Sequence, residues 1–119
     1  MNRPIHFEIL ATDPVELGKF YESVFGWKVA SLGSPDQGYW LVTTGPHEAP
    51  GIDGGMMHRH FEQAVINTIQ VDDLAAAISQ VESAGGRTLM EPRDIPGVGS
   101  HTYCADPEGN LFGLLQPAM

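Results

Sequence analysis

The sequence repeats itself at an offset of 60 residues, and this repeat restricts the folds open to the chain. Between residues 9 and 29, five of 21 positions are identical to the residue 60 places later, whereas average residue usage gives roughly one such match. The identical pairs are Ile9/Ile69, Asp13/Asp73, Glu22/Glu82, Ser23/Ser83 and Gly26/Gly86. A duplication of this length predicts two copies of one supersecondary unit.

In the first copy, a short strand leads into a capped helix. Residues 6–10 have the alternating character of a strand, and Asp13 followed by Pro14 predicts the start of a helix. Gly26 predicts the end of the helix, because glycine readily adopts the left-handed conformation of a C-cap. The predicted apolar face of this helix, at i, i+3, i+4, i+7 and i+8, comprises Leu17, Phe20, Tyr21, Val24 and Phe25.

The second copy has the same order of elements. Residues 64–71 predict a strand, Asp72 or Asp73 caps the following helix, and Gly85-Gly86 stops it. Residues 33–38 predict a turn, and residues 91–99, with two prolines, predict a loop. Three further strands are predicted in each half, at residues 28–32, 39–44 and 51–57 in the first and 87–90, 100–105 and 110–116 in the second.

We therefore predict a single α+β domain over residues 1–119, built from two βαβββ modules at about residues 4–58 and 64–117. One helix per module covers only one face of its sheet, so the other face must pack against another layer. The expected architecture is a curved, eight-stranded mixed sheet.

Charge and composition disfavour some partners and indicate the cellular compartment. Fifteen acidic and six basic side chains give a net charge of −9, which disfavours nucleic acids and anionic membranes. No apolar run approaches the roughly 20 residues of a membrane span, and residues 1–6 do not resemble a signal peptide. A single cysteine, Cys104, is compatible with a reducing compartment. We expect a cytoplasmic protein.

The repeat resembles the vicinal oxygen chelate superfamily, which includes glyoxalase I, bleomycin-resistance proteins and extradiol dioxygenases. Gly54-Gly55-Met56 and the segment 95–99 further resemble a bacterial subgroup described only as glyoxalase-related. The resemblance implies the tandem fold, a homodimer and a small-molecule ligand in an apolar cleft. Its main motifs are His6 seven residues before Asp13, Phe25-Gly26-Trp27, Val71-Asp72-Asp73-Leu74, Gly85-Gly86 and Asp106-Pro107-Glu108-Gly109-Asn110.

The resemblance also implies where a divalent metal would be held, which is on the first and last strand of each half. His6 lies at the first-strand position, and Ile66 is its equivalent in the second half. The last-strand position falls at Gly113, which corresponds to Asp53 at the same offset. His6 and Asp53 are thus the candidate ligands of an ion such as Ni²⁺, Zn²⁺, Mn²⁺ or Fe²⁺, and no cofactor is certain. The isoleucine side chain has no ligand atom for a metal, and glycine offers only its backbone.

His6 and Glu8 share one face of the first strand, and each has two interpretations. As a pair they could act as a base on an acidic carbon or hydroxyl, with Glu8 as the catalytic candidate. Alternatively, His6 is a pocket-wall residue bonded to Glu8 or to backbone. Asp53 equally suits a turn beside Gly54-Gly55.

Four further residues are expected to line the ligand cleft together with His6 and Glu8. A role in the hydrophobic core is the alternative for each of them, because aromatic and methionine side chains are commonly buried. The four are Trp40, Met56, His101 and Tyr103.

Three functions are compatible with these features. The leading interpretation is a glyoxalase/bleomycin-resistance-like protein that binds a small oxygenated organic molecule, with its reaction open. The first alternative is a metal-dependent lyase, isomerase or dioxygenase, related to lactoylglutathione lyase, that uses His6 and Asp53. The second is a non-catalytic dimer that sequesters a drug, in which the negative charge attracts a cationic compound such as bleomycin. Whether the protein is an enzyme stays open.

Overall fold

The computed structural model describes residues 1–33 and 38–118, so most of the turn predicted at residues 33–38 lies outside the described residues. Nine strands and two helices are formed by the described residues. The first elements are β1 (Arg3–Ala11), α1 (Pro14–Phe25), β2 (Lys28–Ser31), β3 (Tyr39–Thr43) and β4 (Gly54–His58). They are followed by β5 (Val65–Gln70), α2 (Leu74–Ser83), β6 (Arg87–Thr88), β7 (Arg93–Ile95), β8 (Gly99–Ala105) and β9 (Leu111–Pro117).

The chain divides into two compact units. The N-terminal unit is His6–Val65, and the C-terminal unit is Met1–Ile5 with Ile66–Met119. Strand order in the N-terminal unit is β2-β3-β4-β1, with β1 parallel to β4 and the other neighbours antiparallel. Strand order in the C-terminal unit is β5-β9-β8-β6, with β5 parallel to β9 and β7 paired with β8. This equivalence confirms the α+β class and the tandem βαβββ repeat, while a single domain stays a prediction.

The two helices begin in the same way, because an aspartate caps each of them. The Asp13 carboxylate accepts a hydrogen bond from Glu16 N at 3.2 Å, and the Asp73 carboxylate accepts one from Ala76 N at 3.1 Å. The first N–H groups of a helix have no acceptor within the helix, so a side-chain oxygen at this position stabilises its first turn. The predicted caps are confirmed, with Asp73 rather than Asp72 capping the second helix.

A repeated glutamate ties each helix to the strand that follows it. Glu22 Oε2 accepts a hydrogen bond from Val29 N at 3.3 Å, and Glu82 Oε2 accepts one from Thr88 Oγ1 at 3.2 Å. In both units the repeated glutamate therefore bonds to the strand after its helix, to a backbone N–H in the first unit and to a side-chain hydroxyl in the second.

The helix ends show that identical residues in the repeat can have different roles. Gly26 ends α1 with a left-handed φ of 73°. In α2 the C-cap is Ala84, and Gly85 has the positive φ, 98°. Gly86 is required for space instead, because a Cβ there would lie 2.7 Å from the carbonyl oxygen of Ala105.

The hydrophobic core of each unit lies between its helix and one face of its sheet. In the N-terminal unit this core contains buried residues of β1, β3 and β4, and in the C-terminal unit it contains buried residues of β8 and β9. Successive strand residues point to opposite faces, so the intervening residues of β1, β3 and β8 face away from the helices. The buried core residues are Ile9, Ala11, Trp40, Val42 and Met56, and Val71, Leu74, Cys104 and Leu114.

Part of the apolar face predicted for α1 is exposed. Phe20, Val24 and Phe25 are 53%, 54% and 61% exposed, whereas Leu17 and Tyr21 pack against the core. The sheet of this unit therefore covers only part of the predicted apolar face, because the apolar stripe is wider than the strip of helix that packs on the sheet.

The loop predicted at residues 91–99 contains the short strand β7. Pro96-Gly97 forms a tight turn, in which Val98 N donates to Ile95 O at 2.9 Å and Gly97 has a φ of 77°. Proline followed by a glycine with positive φ is the composition of a type II turn. The proline therefore helps β7 to pair with β8 instead of ending regular structure.

In the part of the chain that the structure describes, neither helix has the length and apolar character that crossing a bilayer requires.

Replacing Asp13 or Asp73 with alanine is expected to lower the free energy of unfolding by about 1 kcal/mol each, because a first-turn N–H loses its acceptor. Asp13→Asn and Asp73→Asn should retain most of the stability, since asparagine caps helices as well as aspartate does. Urea denaturation followed by circular dichroism measures both effects. Alanine variants as stable as the wild type would contradict the capping role.

Candidate functional site

A hydroxyl group joins His6 and Glu8 of β1. His6 Nε2 lies 3.0 Å from Tyr39 Oη, and Tyr39 Oη donates a long hydrogen bond of 3.5 Å to Glu8 Oε2. Glu8 is buried, whereas His6 and Tyr39 are half-buried. A small molecule outside the sheet can therefore reach His6 and Tyr39 directly, and Tyr39 links it to the buried Glu8. These three residues are called the His6–Tyr39–Glu8 cluster below.

Gly55 makes this cluster possible. Strand β4 lies between β3, which carries Tyr39, and β1, which carries His6 and Glu8. A Cβ at Gly55 would overlap the hydroxyl oxygen and the ring of Tyr39. The absence of a side chain thus lets the Tyr39 ring lie over the β4 backbone and reach β1.

Burial controls the protonation of the cluster. It lowers the pKa of the His6 imidazole from its ordinary value of 6.5, and the charges of Glu8 and Asp53 partly oppose this effect. Burial also raises the pKa of the Tyr39 hydroxyl, which the charge of Glu8 and its hydrogen bond raise further. At neutral pH, His6 is therefore mainly neutral and Tyr39 keeps its proton.

The cluster can transmit hydrogen bonding from a ligand to Glu8. A neutral imidazole has one N–H donor and one acceptor nitrogen. In the tautomer with hydrogen on Nε2, His6 donates to Tyr39 and Tyr39 donates to Glu8. Nδ1 of His6 is then an acceptor that can take a hydrogen bond, or a proton, from a ligand.

Asp53 makes structural contacts with Thr44, the residue that follows β3. Its Oδ1 accepts hydrogen bonds from Thr44 N at 2.8 Å and from Thr44 Oγ1 at 3.2 Å. The side chain is exposed and precedes β4. Its charge raises the pKa of His6, but this is a smaller effect than burial.

Strand register corrects the alignment of Asp53 with Gly113. Glu8 pairs with Gly55 on β4, and Thr68 pairs with Gly113 on β9. Since residues 8 and 68 are equivalent in the repeat, Gly113 corresponds to Gly55 rather than to Asp53.

Trp40 and Met56 lie in the hydrophobic core and not beside His6. Trp40 is 9% exposed and Met56 is fully buried, and both pack with Val42 on the side of the sheet that α1 covers. Alternation along β3 explains this placement, because Tyr39 and Trp40 point to opposite faces. The expectation that Trp40 and Met56 line the ligand cleft is therefore wrong.

His101 and Tyr103 lie on the face of the C-terminal sheet that points away from α2. They are 5% and 1% exposed, and their rings meet edge to face with centroids 4.6 Å apart. His101 Nε2 also lies 3.1 Å from the position that a Cβ on Gly113 would take. Their role as ligand contacts stays a prediction.

Tyr39 is absent from the residues that the sequence predicts for the site. Alternation gives one signal for it, because a core position at Trp40 places Tyr39 on the opposite face. Gly55 gives the other, since a glycine in a strand indicates close approach by another group. Combining the two signals requires the register of β3 on β4, which pairs Leu41 with Gly55.

Comparison with known proteins assigns the chain to a family. The sequence profile of the Glyoxalase/Bleomycin resistance protein/Dioxygenase superfamily matches residues 3–114. The chain belongs to this superfamily, which confirms the resemblance seen in its motifs. Members of the superfamily commonly bind small-molecule ligands, form dimers and often use divalent metals.

Three proteins illustrate the similarity. The protein named "Putative glyoxylase CFP32" from Mycobacterium tuberculosis is 34% identical over 116 residues, covering 92% of this chain and 42% of that protein. "Anthracycline biosynthesis protein DnrV" from Streptomyces peucetius is 27% identical over 128 residues, covering 93% and 46%. The chain thus spans less than half the length of these curated relatives.

The third similarity is to a solved structure, methylmalonyl-CoA epimerase from Mycobacterium tuberculosis. Its TM-score is 0.70 at 18% identity, with 98% of this chain and 88% of that chain covered. At this identity the comparison shows a shared fold.

The described residues do not fit the metal site that the superfamily implies. Of the two first-strand positions, His6 offers a nitrogen and Ile66 is a fully buried apolar residue. Gly55 and Gly113 stand at the last-strand positions and have no side chain to offer. Within residues 1–33 and 38–118, no three His, Cys, Asp or Glu side chains are grouped so that they could hold an ion.

Stability is expected to depend on pH through His6. Because the folded-state pKa is lowered, the unfolded chain binds a proton on His6 near pH 6.5 while the folded chain does not. The contribution is fully present above pH 6.5 and is lost as the pH falls toward the folded-state pKa.

Urea denaturation at about pH 7.5 and about pH 5.5 checks this expectation. Wild-type protein should lose more free energy of unfolding between these pH values than the His6→Gln variant, which has no titrating ring. Equal losses in the two proteins would contradict the assignment.

Proposed function

We propose that this protein binds a small oxygenated organic molecule on the sheet face that carries the His6–Tyr39–Glu8 cluster. The observation that carries this proposal is the position of the Tyr39 hydroxyl between His6 and Glu8, where the ring lies over Gly55, which has no side chain. In a family whose members commonly bind small molecules, this arrangement supplies directional hydrogen bonds on an accessible face.

The three side chains have different tasks in this proposal. His6 and Tyr39 contact an oxygen of the ligand, because both are half-buried. Glu8, the candidate catalytic residue, is buried and accepts a hydrogen bond from Tyr39, so we assign it the positioning of that hydroxyl. We also propose His101 and Tyr103 as ligand-site residues of the C-terminal unit by itself. They are 5% and 1% exposed, as deeply buried as Glu8, so we assign them, like Glu8, the positioning of groups nearer the surface.

The family suggests the oligomeric state, and the residues at the expected ligand positions decide the metal content of the proposal. We propose a homodimer, as is common in the family. The proposal includes no divalent ion, because His6 is the only one of the four first- and last-strand positions with a side-chain ligand atom. Conversion of the bound molecule would make the protein an enzyme, and unchanged retention would make it a sequestering protein.

Binding to a panel of ligands is the test of this function. Isothermal titration with methylmalonyl-CoA, the methylglyoxal–glutathione adduct, bleomycin and the anthracycline daunorubicin should detect at least one ligand. Tyr39→Phe should weaken its binding roughly fivefold, since a net hydrogen bond is worth about 1 kcal/mol. Tyr21→Phe is the matched control, because it removes a hydroxyl from a ring that stacks on Trp27 and packs against the hydrophobic core.

The outcomes separate the possible functions. No binding to any panel member, or equal binding by wild type and Tyr39→Phe, would count against the proposed site. Mass spectrometry of the incubated ligand then distinguishes an enzyme, which forms a product, from a sequestering protein, which returns the ligand unchanged.

A further inference from the structure

Tyr39 has a defined position relative to the last strand of the N-terminal unit. Leu41 on β3 pairs with Gly55 on β4, and Tyr39 lies two residues before Leu41 on the same strand face. From this position its ring covers Gly55, where a Cβ would overlap it.

His101 has the equivalent position in the C-terminal unit. Tyr103 on β8 pairs with Gly113 on β9, and His101 lies two residues before Tyr103 on the same face. A Cβ at Gly113 would lie 3.1 Å from His101 Nε2 and 3.0 Å from Thr68 Oγ1. Both distances are shorter than most contacts of a real Cβ.

Gly55 and Gly113 are also the positions at which the superfamily implies a metal-ligating carboxylate. We propose that Tyr39 and His101 each occupy the place that this carboxylate would take in its own unit. Glycine on the last strand and an aromatic side chain on the neighbouring strand thus form a pair. The aromatic member of the pair is the phenol of Tyr39 in the N-terminal unit and the imidazole of His101 in the C-terminal unit. Only the use of these groups by an organic ligand rests on the proposed function.

The two positions differ in how completely they are filled. The Tyr39 ring leaves no space for any side chain at Gly55, whereas His101 leaves Gly113 short of space by a few tenths of an ångström. A side chain at position 55 must therefore displace Tyr39, while a methyl group at position 113 requires only a small shift of His101 or Thr68.

A double-mutant cycle tests this occupancy without any ligand. Gly55→Ala should reduce the folding equilibrium constant at least about tenfold in the presence of Tyr39, because the added methyl group displaces the ring. In the Tyr39→Ala background the same change should cost less than about twofold. Gly45→Ala is the control, since nothing lies within 4 Å of a Cβ at that position.

The C-terminal unit gives a graded comparison. Gly113→Ala should reduce the folding equilibrium constant less than Gly55→Ala does, and His101→Ala should relieve part of that loss. Equal costs of either glycine substitution with and without its aromatic partner would overturn the proposal.

Metal titration tests the identity of the place that Tyr39 fills. Calorimetry with Ni²⁺ or Zn²⁺ alone should show at least about tenfold tighter binding by Tyr39→Ala/Gly55→Glu than by wild type. Gly55→Glu alone should gain less than the double variant, because the displaced Tyr39 ring still competes with the new side chain for the same space. Adding His6→Ala should abolish the gain of the double variant. An equal gain in the single and double variants, or none in the double variant, would overturn the assignment.

These experiments are independent of the proposed function. The ligand panel can fail while the stability cycle and the metal titration succeed, and the reverse can also occur. Tight metal binding by wild-type protein that is lost in His6→Ala would contradict the inference directly.

Discussion

The position of the Tyr39 ring over Gly55 is the contact on which the candidate site depends. In the N-terminal unit, β4 separates β3 from β1, so a side chain from β3 can reach β1 only by lying over the β4 backbone. Any residue with a Cβ at position 55 would block that path. The polar cluster therefore owes its geometry to an absent side chain as much as to the three side chains that form it.

The internal repeat separates the residues that build the scaffold from those that build the site. Asp13 and Asp73 cap their helices in the same way, and Glu22 and Glu82 each bond to the strand that follows the helix. On the sheet face away from the helices the two units differ, with His6 and Glu8 in one unit replaced by Ile66 and Thr68 in the other. Identity within the repeat thus reports architecture, whereas divergence marks the face on which function is proposed.

Features set by neighbouring residues could be predicted from the sequence, and features set by strand register could not. The helix caps and the shared face of His6 and Glu8 follow from local spacing. The repeat can be found by comparing the sequence with itself. The placement of Trp40 and Met56 in the core, the exposure of Phe20 on α1 and the match of Gly113 with Gly55 depend on which elements meet. Tyr39 combines both cases, because its face is a local property and its path to β1 is a property of the sheet.

Gly26 and Gly86 carry one further consequence, for the residues that each position can tolerate. Gly26 has a left-handed backbone with open space around it, so asparagine, which adopts that conformation more readily than other residues, is an acceptable replacement. Gly86 is held against a backbone carbonyl, so no other amino acid fits without moving the chain. The two glycines of this repeat pair therefore tolerate different substitutions. The backbone torsion angle sets the limit at Gly26, and the space available for a side chain sets it at Gly86.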